Sequence, residues 1–305
     1  MGEFDFIAWL RQRTPPASRV LAGPGDDSAI IETIVNRPWL VTTDMMLEGT
    51  HFLLAEVGPR RVGHKAMAVN LSDIAAMGGR PVAAFVSVGL PRGKAHALAE
   101  ELYLGMREVA DGFETAIAGG DTNTWTGGLV VSLTVMGEPG PQGPILRRGA
   151  TPGDWLFVTG PLGGSILGKH LDFVPRVKEG LELQEHAMLH AMIDISDGLS
   201  ADVFHICQES GCGAVLFSAK IPISDAARTI ADGKAPLDHA LGDGEDFELA
   251  FAVDSADGER LLTTQPIPGI TLSHVGVFVA EKGLFLEENG TRRCIEPRGF
   301  AHPFE

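Results

Sequence analysis

Cysteine is scarce. The 305-residue chain has three, Cys207, Cys212 and Cys294. An odd, sparse set makes no disulfide framework, and the Cys-x4-Cys spacing of the first two is not a zinc knuckle. They read as free thiols in a reducing compartment. Basic residues are short as well: 24 Lys and Arg stand against 40 Asp and Glu, a formal charge of −16. Nucleic acid and anionic membrane are bound by Lys and Arg meeting phosphate, so both are excluded as partners. No apolar run approaches the ~20 residues of a membrane-spanning helix. The first residues carry acids where a signal peptide needs positive charge, and Phe6 stands where myristoylation requires Ser or Thr. The expectation is a cytoplasmic protein. If it handles a polyanion, something other than its side chains must supply the positive charge.

Several catalytic signatures are also missing. There is no Gly-x-Gly-x-x-Gly, no Gly-x-Ser-x-Gly elbow and no HExxH; His186 and His190 are four apart, but Ala187 occupies the glutamate position. Gly163-Gly-Ser-Ile-Leu-Gly-Lys-His170 nearly matches a P-loop, but His170 stands where a magnesium-binding Ser or Thr belongs. It reads as a glycine-rich helix start with Lys169 exposed.

What is present is an alternation of short apolar runs and helical periods. Strands are predicted at 39–43, 82–90, 115–118, 129–137, 155–159, 192–195, 214–217, 247–253 and 270–277. Helices are predicted at 62–77, 95–112, from about 164, and at 199–210. The Pro- and Gly-rich stretch 138–153 can continue neither helix nor central strand and is the best candidate linker. Strands alternating with helices indicate an α/β protein of α+β layers, and strand pairs without crossover helices indicate mixed sheets.

One pattern recurs six times, an apolar run or glycine turn followed by a carboxylate. It occurs at Asp26-Asp27, Asp44, Asp73, Asp121, Asp194-Ile-Ser-Asp197 and Asp243-Gly-Glu-Asp246. Any one of these is explained by the taste of Asp for turns and helix caps. Six together, read as strand ends converging on a crevice, suit several magnesium ions, which bridge single carboxylates to substrate phosphates. Arg147 and Arg148 are either a solvated pair or a phosphate contact. His51 is either a substrate contact or a satisfied loop histidine.

The longer segments carrying these acids resemble the thiamine-monophosphate kinase family. They are Gly-Pro-Gly-Asp-Asp-Ser-Ala (23–29), Val-Thr-Thr-Asp-Met-Met-Leu-Glu-Gly-Thr-His-Phe (41–52), Lys-Ala-Met-Ala-Val-Asn-Leu-Ser-Asp-Ile-Ala-Ala-Met-Gly-Gly-Arg-Pro (65–81), Gly-Gly-Asp-Thr (119–122), Ile-Asp-Ile-Ser-Asp-Gly-Leu (193–199) and Gly-Glu-Asp-Phe-Glu-Leu (244–249). That family sits with aminoimidazole ribonucleotide synthetase, selenophosphate synthetase and a hydrogenase-maturation protein. The resemblance implies a two-domain aminoimidazole ribonucleotide synthetase-like fold. Residues 1–138 would form an N-terminal ATP- and magnesium-binding domain that builds a homodimer, and 150–305 a C-terminal α/β domain.

It implies ATP-dependent, in-line phosphorylation of thiamine monophosphate to thiamine diphosphate with several Mg2+ ions; whether potassium is also required stays open. Asp27, Thr42, Thr43, Asp44, Asp73, Asp121, Asp194 and Asp197 would hold magnesium. Gly120, Asp121, Arg147, Ser196 and, by a looser match, Tyr103 would contact ATP, with Asp121, Arg147 and Asp197 counted as catalytic. His51, Glu245 and Phe300 would contact the thiamine substrate. The chain departs from the family at Asp243, where glycine is commoner. The absence of a cysteine before Cys207, and the ending Ala-His-Pro-Phe-Glu, set aside selenophosphate synthetase and the hydrogenase-maturation protein. An aminoimidazole ribonucleotide synthetase-like cyclase and a non-catalytic acidic metal-binding module are the alternatives.

Overall fold

The structure is a computed structural model describing residues 12–14, 19–22, 30–31, 38–93 and 95–300. Asp27, expected to hold magnesium, lies outside the described residues. The chain forms two compact units that interleave in sequence. The first takes Met1–Ile74, Arg80–Glu138 and Leu171–Val174; the second takes Ala75–Gly79, Pro139–His170 and Pro175–Glu305.

In the first unit β1 (Val20–Ala22) and β2 (Ile30–Ile31) make a small antiparallel ladder. The main sheet has four strands: β3 (Leu40–Leu47), β4 (Gly79–Pro91), β5 (Ala116–Trp125) and β6 (Val130–Pro139), in the order β3-β6-β4-β5. Helix α1 (Leu54–Ala76) is kinked where Gly58 leaves helical geometry before Pro59. From Val62 on, α1 is buried on nearly every side, which fits its small side chains and the absence of a polar stripe.

Helix α2 (Ala95–Gly112) crosses α1 at two glycines. A Cβ on Gly63 would lie 2.0 Å from the Leu102 carbonyl oxygen, and one on Gly105 1.9 Å from that of Arg60. Backbone against backbone leaves no side chain to yield. Gly105→Ala is expected to destabilise the protein by about 2–3 kcal/mol through overpacking. Gly112→Ala, where a Cβ meets nothing within 4 Å, is the control and stays near wild type. Urea unfolding of both variants checks this.

The second unit is built on a seven-stranded mixed sheet. Its strands are β7 (Trp155–Val158), β8 (Ala191–Asp194), β9 (Gly213–Phe217), β10 (Leu249–Val253), β11 (Ser273–Val279), β12 (Gly283–Glu288) and β13 (Thr291–Ile295), in the order β13-β12-β9-β11-β7-β10-β8. The short helices α3 (Lys169–Asp172), whose last two residues belong to the first unit, and α4 (Val177–His186) precede β8. Then come α5 (Leu199–Ser210), α6 (Asp225–Thr229), α7 (Pro236–Gly242) and α8 (Ser255–Thr264). Helix α5 buries Leu199, Val203, Ile206 and Cys207, a helical period, against the apolar face of the sheet. The opposite face carries an aromatic layer in which Trp155 stacks on His274 at 3.9 Å and Phe157 on Phe251 at 5.5 Å. Burial pushes His274 down to about 4, so it is a neutral core ring.

Several expectations are corrected here. Asp44 and Asp121 lie inside strands, not past their ends: β3 continues to Leu47 because Asp44 pairs with Leu133, and β5 continues to Trp125 because β4 runs beside it to Pro91. Segment 138–153 is no free linker. Its backbone N–H groups at Gly140 and Ile145 donate to Gly78 and Met77, and the Gln142 side chain donates to the Gln184 and Ala187 carbonyls. His186 closes its helix, and His190 lies beyond it, its Nδ1 2.8 Å from Asp154.

Candidate active site

In the first unit β3 alternates. Leu40, Thr42, Asp44 and Met46 point to one face, and Val41, Thr43, Met45 and Leu47 to the other. Asp73 on α1 meets the first face, where the Thr42 hydroxyl donates to its carboxylate. Burial, reinforced by the Asp73 charge and a hydrogen bond to Asp73, pushes Asp44 up to about 7. Two crowded carboxylates and a hydroxyl are hard oxygen donors whose repulsion a divalent cation relieves. The set fits magnesium. Thr43 is not brought to this group: its hydroxyl donates to the Leu133 carbonyl at 2.9 Å and accepts from Thr134.

Gly120 and the exposed Asp121 lie on β5, at the other edge of the sheet from β3. A Cβ at Gly120 would sit 1.9 Å from the Val86 carbonyl oxygen, just past the register shift at Ala84/Phe85. Asn123 donates to Asp121 at 2.8 Å. The turn after β3 is tightly tied: His51 accepts from the Leu47 N–H through Nδ1 at 3.0 Å, and its carbonyl accepts from the buried Lys65 ammonium at 3.2 Å. With Nδ1 accepting, the neutral ring carries its proton on Nε2. Tyr103 is buried on α2 with its hydroxyl 2.8 Å from that of Thr14.

In the second unit the topology gathers three loops. β10 runs antiparallel to both β7 and β8, so the loops after β7 and β8 and the loop before β10 share one sheet end. There the Glu245 N–H donates to the Ser196 carbonyl at 2.7 Å, the Phe247 N–H to Ile195 at 2.8 Å and the Phe300 N–H to Asp197 at 3.1 Å. Ser196, Asp197, Glu245 and Phe300 are thus brought together beside Asp194, the last residue of β8. Arg147 is not. It is exposed on the edge flanking β8, where Leu146 accepts from Met192 and the Arg147 carbonyl accepts from Ser210 at the far end of α5.

Two members of this group go unnoticed in the sequence. Asp197, Asp202 and His205 offer ligand atoms within 4.8 Å of one another. Burial, then the charges of Asp194 and Asp197, pushes Asp202 up to about 8, while the Gly198 and Asp197 N–H groups pull the other way. The available signal was Asp202 and His205 three apart on a helix starting directly after Asp197-Gly198.

The P-loop-like stretch is also re-read. Lys169 is not simply exposed: it donates at 2.7 Å to Glu248, a fully buried carboxylate that also accepts from Arg176 at 2.8 and 2.9 Å and from Thr159 at 2.8 Å. Asp243 takes an ordinary helical backbone conformation, so the departure from glycine leaves the turn intact. Its carboxylate lies 2.9 Å from His239 Nδ1 and accepts from the Gly164 N–H at 3.0 Å.

These loops, on a mixed-sheet α/β scaffold, are where comparison with known proteins becomes informative. Residues 25–138 match the AIR synthase related protein, N-terminal domain, and residues 151–288 match the C-terminal domain of the same proteins. The chain therefore belongs to the AIR synthase related proteins. Within them it groups with the thiamine-monophosphate kinases. The enzyme of that name from Rhodopirellula baltica is 42% identical over 98% of this chain and 97% of its own length. The crystal structure of thiamine-monophosphate kinase from Stenotrophomonas maltophilia K279a superimposes with a TM-score of 0.82 at 31% identity, covering 95% of this chain and 98% of that one. AaThiL complexed with AMPPCP and TMP superimposes with a TM-score of 0.76 at 29% identity, over 98% and 96%.

Proposed function

We propose that the chain transfers the γ-phosphoryl group of ATP to the phosphate of thiamine monophosphate, giving thiamine diphosphate. The observation that carries this is near full-length similarity, at 42% identity, to a thiamine-monophosphate kinase. The acceptor is a phosphate oxygen whose second pKa is about 6, so it is largely ionised at neutral pH and needs no dedicated general base. Two anions must meet inside an acidic protein, and the work of the site is positioning and charge neutralisation.

Thr42, Asp44 and Asp73 in one unit, and Asp194 and Asp197 in the other, would hold magnesium, with Asp27 and Asp121 completing the set; the Thr43 hydroxyl, on the opposite face of β3, stands apart from it. Bound there, magnesium supplies the positive charge that the side chains lack. Gly120, Asp121, Arg147 and Ser196 are assigned to ATP. His51, with its proton on Nε2, is assigned to the acceptor phosphate, and Glu245 and Phe300 to the thiamine cation. The half-exposed ring of Phe300 suits a cationic thiazolium.

Val41, Met45 and Leu47 stand 61%, 56% and 37% exposed on the edge strand β3, the apolar strip a second copy would cover in a homodimer. Among the described residues no helix is long and apolar enough to cross a membrane, in keeping with a cytoplasmic enzyme.

A substrate panel tests the reading. ADP release is expected only when ATP, magnesium and thiamine monophosphate are all present, and adding potassium to the same assay answers the monovalent-cation question. ADP release with a formylglycinamidine ribonucleotide instead would assign the chain to ring-closing chemistry. No turnover with any acceptor would leave a metal-binding module.

A further inference from the structure

The glycine-rich turn between β7 and α3 has the form of an anion cradle. Gly163 and Gly164 are successive left-handed residues, with φ of 85° and 73°, and the N–H of each faces a carboxylate of the 243–246 segment. Both positions require glycine, since a Cβ would meet the Ala240 nitrogen at 2.6 Å or the Ala227 nitrogen at 2.5 Å. The donors are already engaged. The Gly163 N–H donates to both carboxylate oxygens of Asp246 at 3.0 and 2.9 Å, the Ser165 hydroxyl donates to the same carboxylate, and the Gly164 N–H donates to Asp243.

The segment bearing those carboxylates needs holding. Gly244, Glu245 and Phe247 have φ of 75°, 55° and 49°. Two of the three are not glycine, and such residues persist only where their surroundings over-determine them. Glu245, half-buried, sits between the two captured acids, and its N–H and that of Phe247 are laid against Ser196 and Ile195.

We propose that the turn at 163–165 is an internal anion cradle occupied by the chain's own Asp246 and Asp243, and that Ser165 and Asp246 are positioning residues for the acceptor-binding turn at 244–247. The inference rests on the reading that this turn meets thiamine monophosphate. It assigns the P-loop-like motif to holding the acceptor site, not to binding a nucleotide phosphate.

The test uses the full-length protein with Asp246→Asn and, as the milder change that preserves folding, Ser165→Ala. Hydrogen exchange of a peptide spanning 244–248 is expected to accelerate about tenfold, reporting local opening. The KM for thiamine monophosphate is expected to rise about tenfold while that for ATP stays within about twofold, the signature of lost ground-state positioning. Ser165→Thr, which keeps the hydroxyl, restores both readouts. Unchanged exchange, an unmoved KM for thiamine monophosphate, or a rise confined to the KM for ATP overturns the proposal, the last by giving the cradle to the nucleotide. Glu245→Gln is measured in parallel. If it leaves the KM for thiamine monophosphate unmoved while Asp246→Asn raises it, Glu245 is no substrate contact and the cradle stands.

Discussion

Asp73→Asn is expected to lower turnover by well over tenfold while making the metal-free protein more stable at pH 8. The opposite signs follow from one arrangement. Asp73 shares a face with Asp44 and Thr42, and burial together with the Asp73 charge pushes Asp44 up to about 7. Such a group works against folding once ionised. Its unfolded value is near 3.8, so between that value and about 7 the folded chain keeps a proton the unfolded chain has lost, and stability falls as pH rises through the window. Asparagine keeps the oxygen that accepts from Thr42 and removes the charge. The stability lost between pH 5 and pH 8 should therefore shrink in the variant.

Under the proposed function, the same exchange would remove a magnesium ligand. A magnesium site short of one carboxylate no longer offsets the repulsion between ATP and acceptor, the main obstacle in phosphoryl transfer. Thermal melts at both pH values, with magnesium and with a chelator, read the first effect. ADP release reads the second. In wild type, magnesium should raise the melting temperature more at pH 8 than at pH 5, because only there must both carboxylates be charged without it. A variant of wild-type turnover, or one less stable than wild type when metal-free at pH 8, would break the account.

Regular periods were the most legible part of the sequence. Helices 95–112 and 199–210 are found at the expected bounds, because each pairs an apolar stripe of helical period with a glycine at its end. The strand ends were harder. Asp44 and Gly119-Gly120-Asp121 look like breakers by local propensity, yet pairing across the ladder carries both strands through them. The acids proposed to hold metal stand out for the same reason: a polar residue in a strand costs the fold something. Asp202, His205 and Glu248 were hidden because their meaning lies in partners. Glu248 reads as an ordinary acid in Phe-Glu-Leu, and only the fold brings Lys169 and Arg176, 79 and 72 residues away, onto it. The glycine-rich motif misled in the opposite sense, since sequence shows the donors of a cradle and not what fills them.

Glu248→Gln should be the most destabilising of the substitutions considered, by about 3–5 kcal/mol, the usual range when one partner of a buried ion pair is removed. Glu248 is 1% exposed and accepts from Arg176, Lys169 and Thr159. Burial alone would raise it. The hydrogen bond and charge of Arg176, with the charge of Lys169, outweigh that and hold it below the ordinary value of 4.5. A carboxylate so depressed contributes stability above its unfolded value and loses it as pH falls through the folded one. Wild type should therefore lose stability on its acid limb below about pH 4.5, and that slope should be shallower in Glu248→Gln. Glutamine keeps an acceptor for Thr159 but presents an amide N–H2 toward one of two cations. Because Arg176 and Lys169 are 21% and 35% exposed, they can turn partly to water, which puts the loss toward the lower end of the range. Glu248 also lies between the 244–247 turn and the first residue of β10, and its carbonyl accepts from the Ile195 N–H. Loosening it should thus raise the KM for thiamine monophosphate as well. Urea unfolding at pH 7 and pH 4 measures the stability change. A variant within about 1 kcal/mol of wild type at pH 7 would mean that the cations, and not the carboxylate, are what this buried cluster requires.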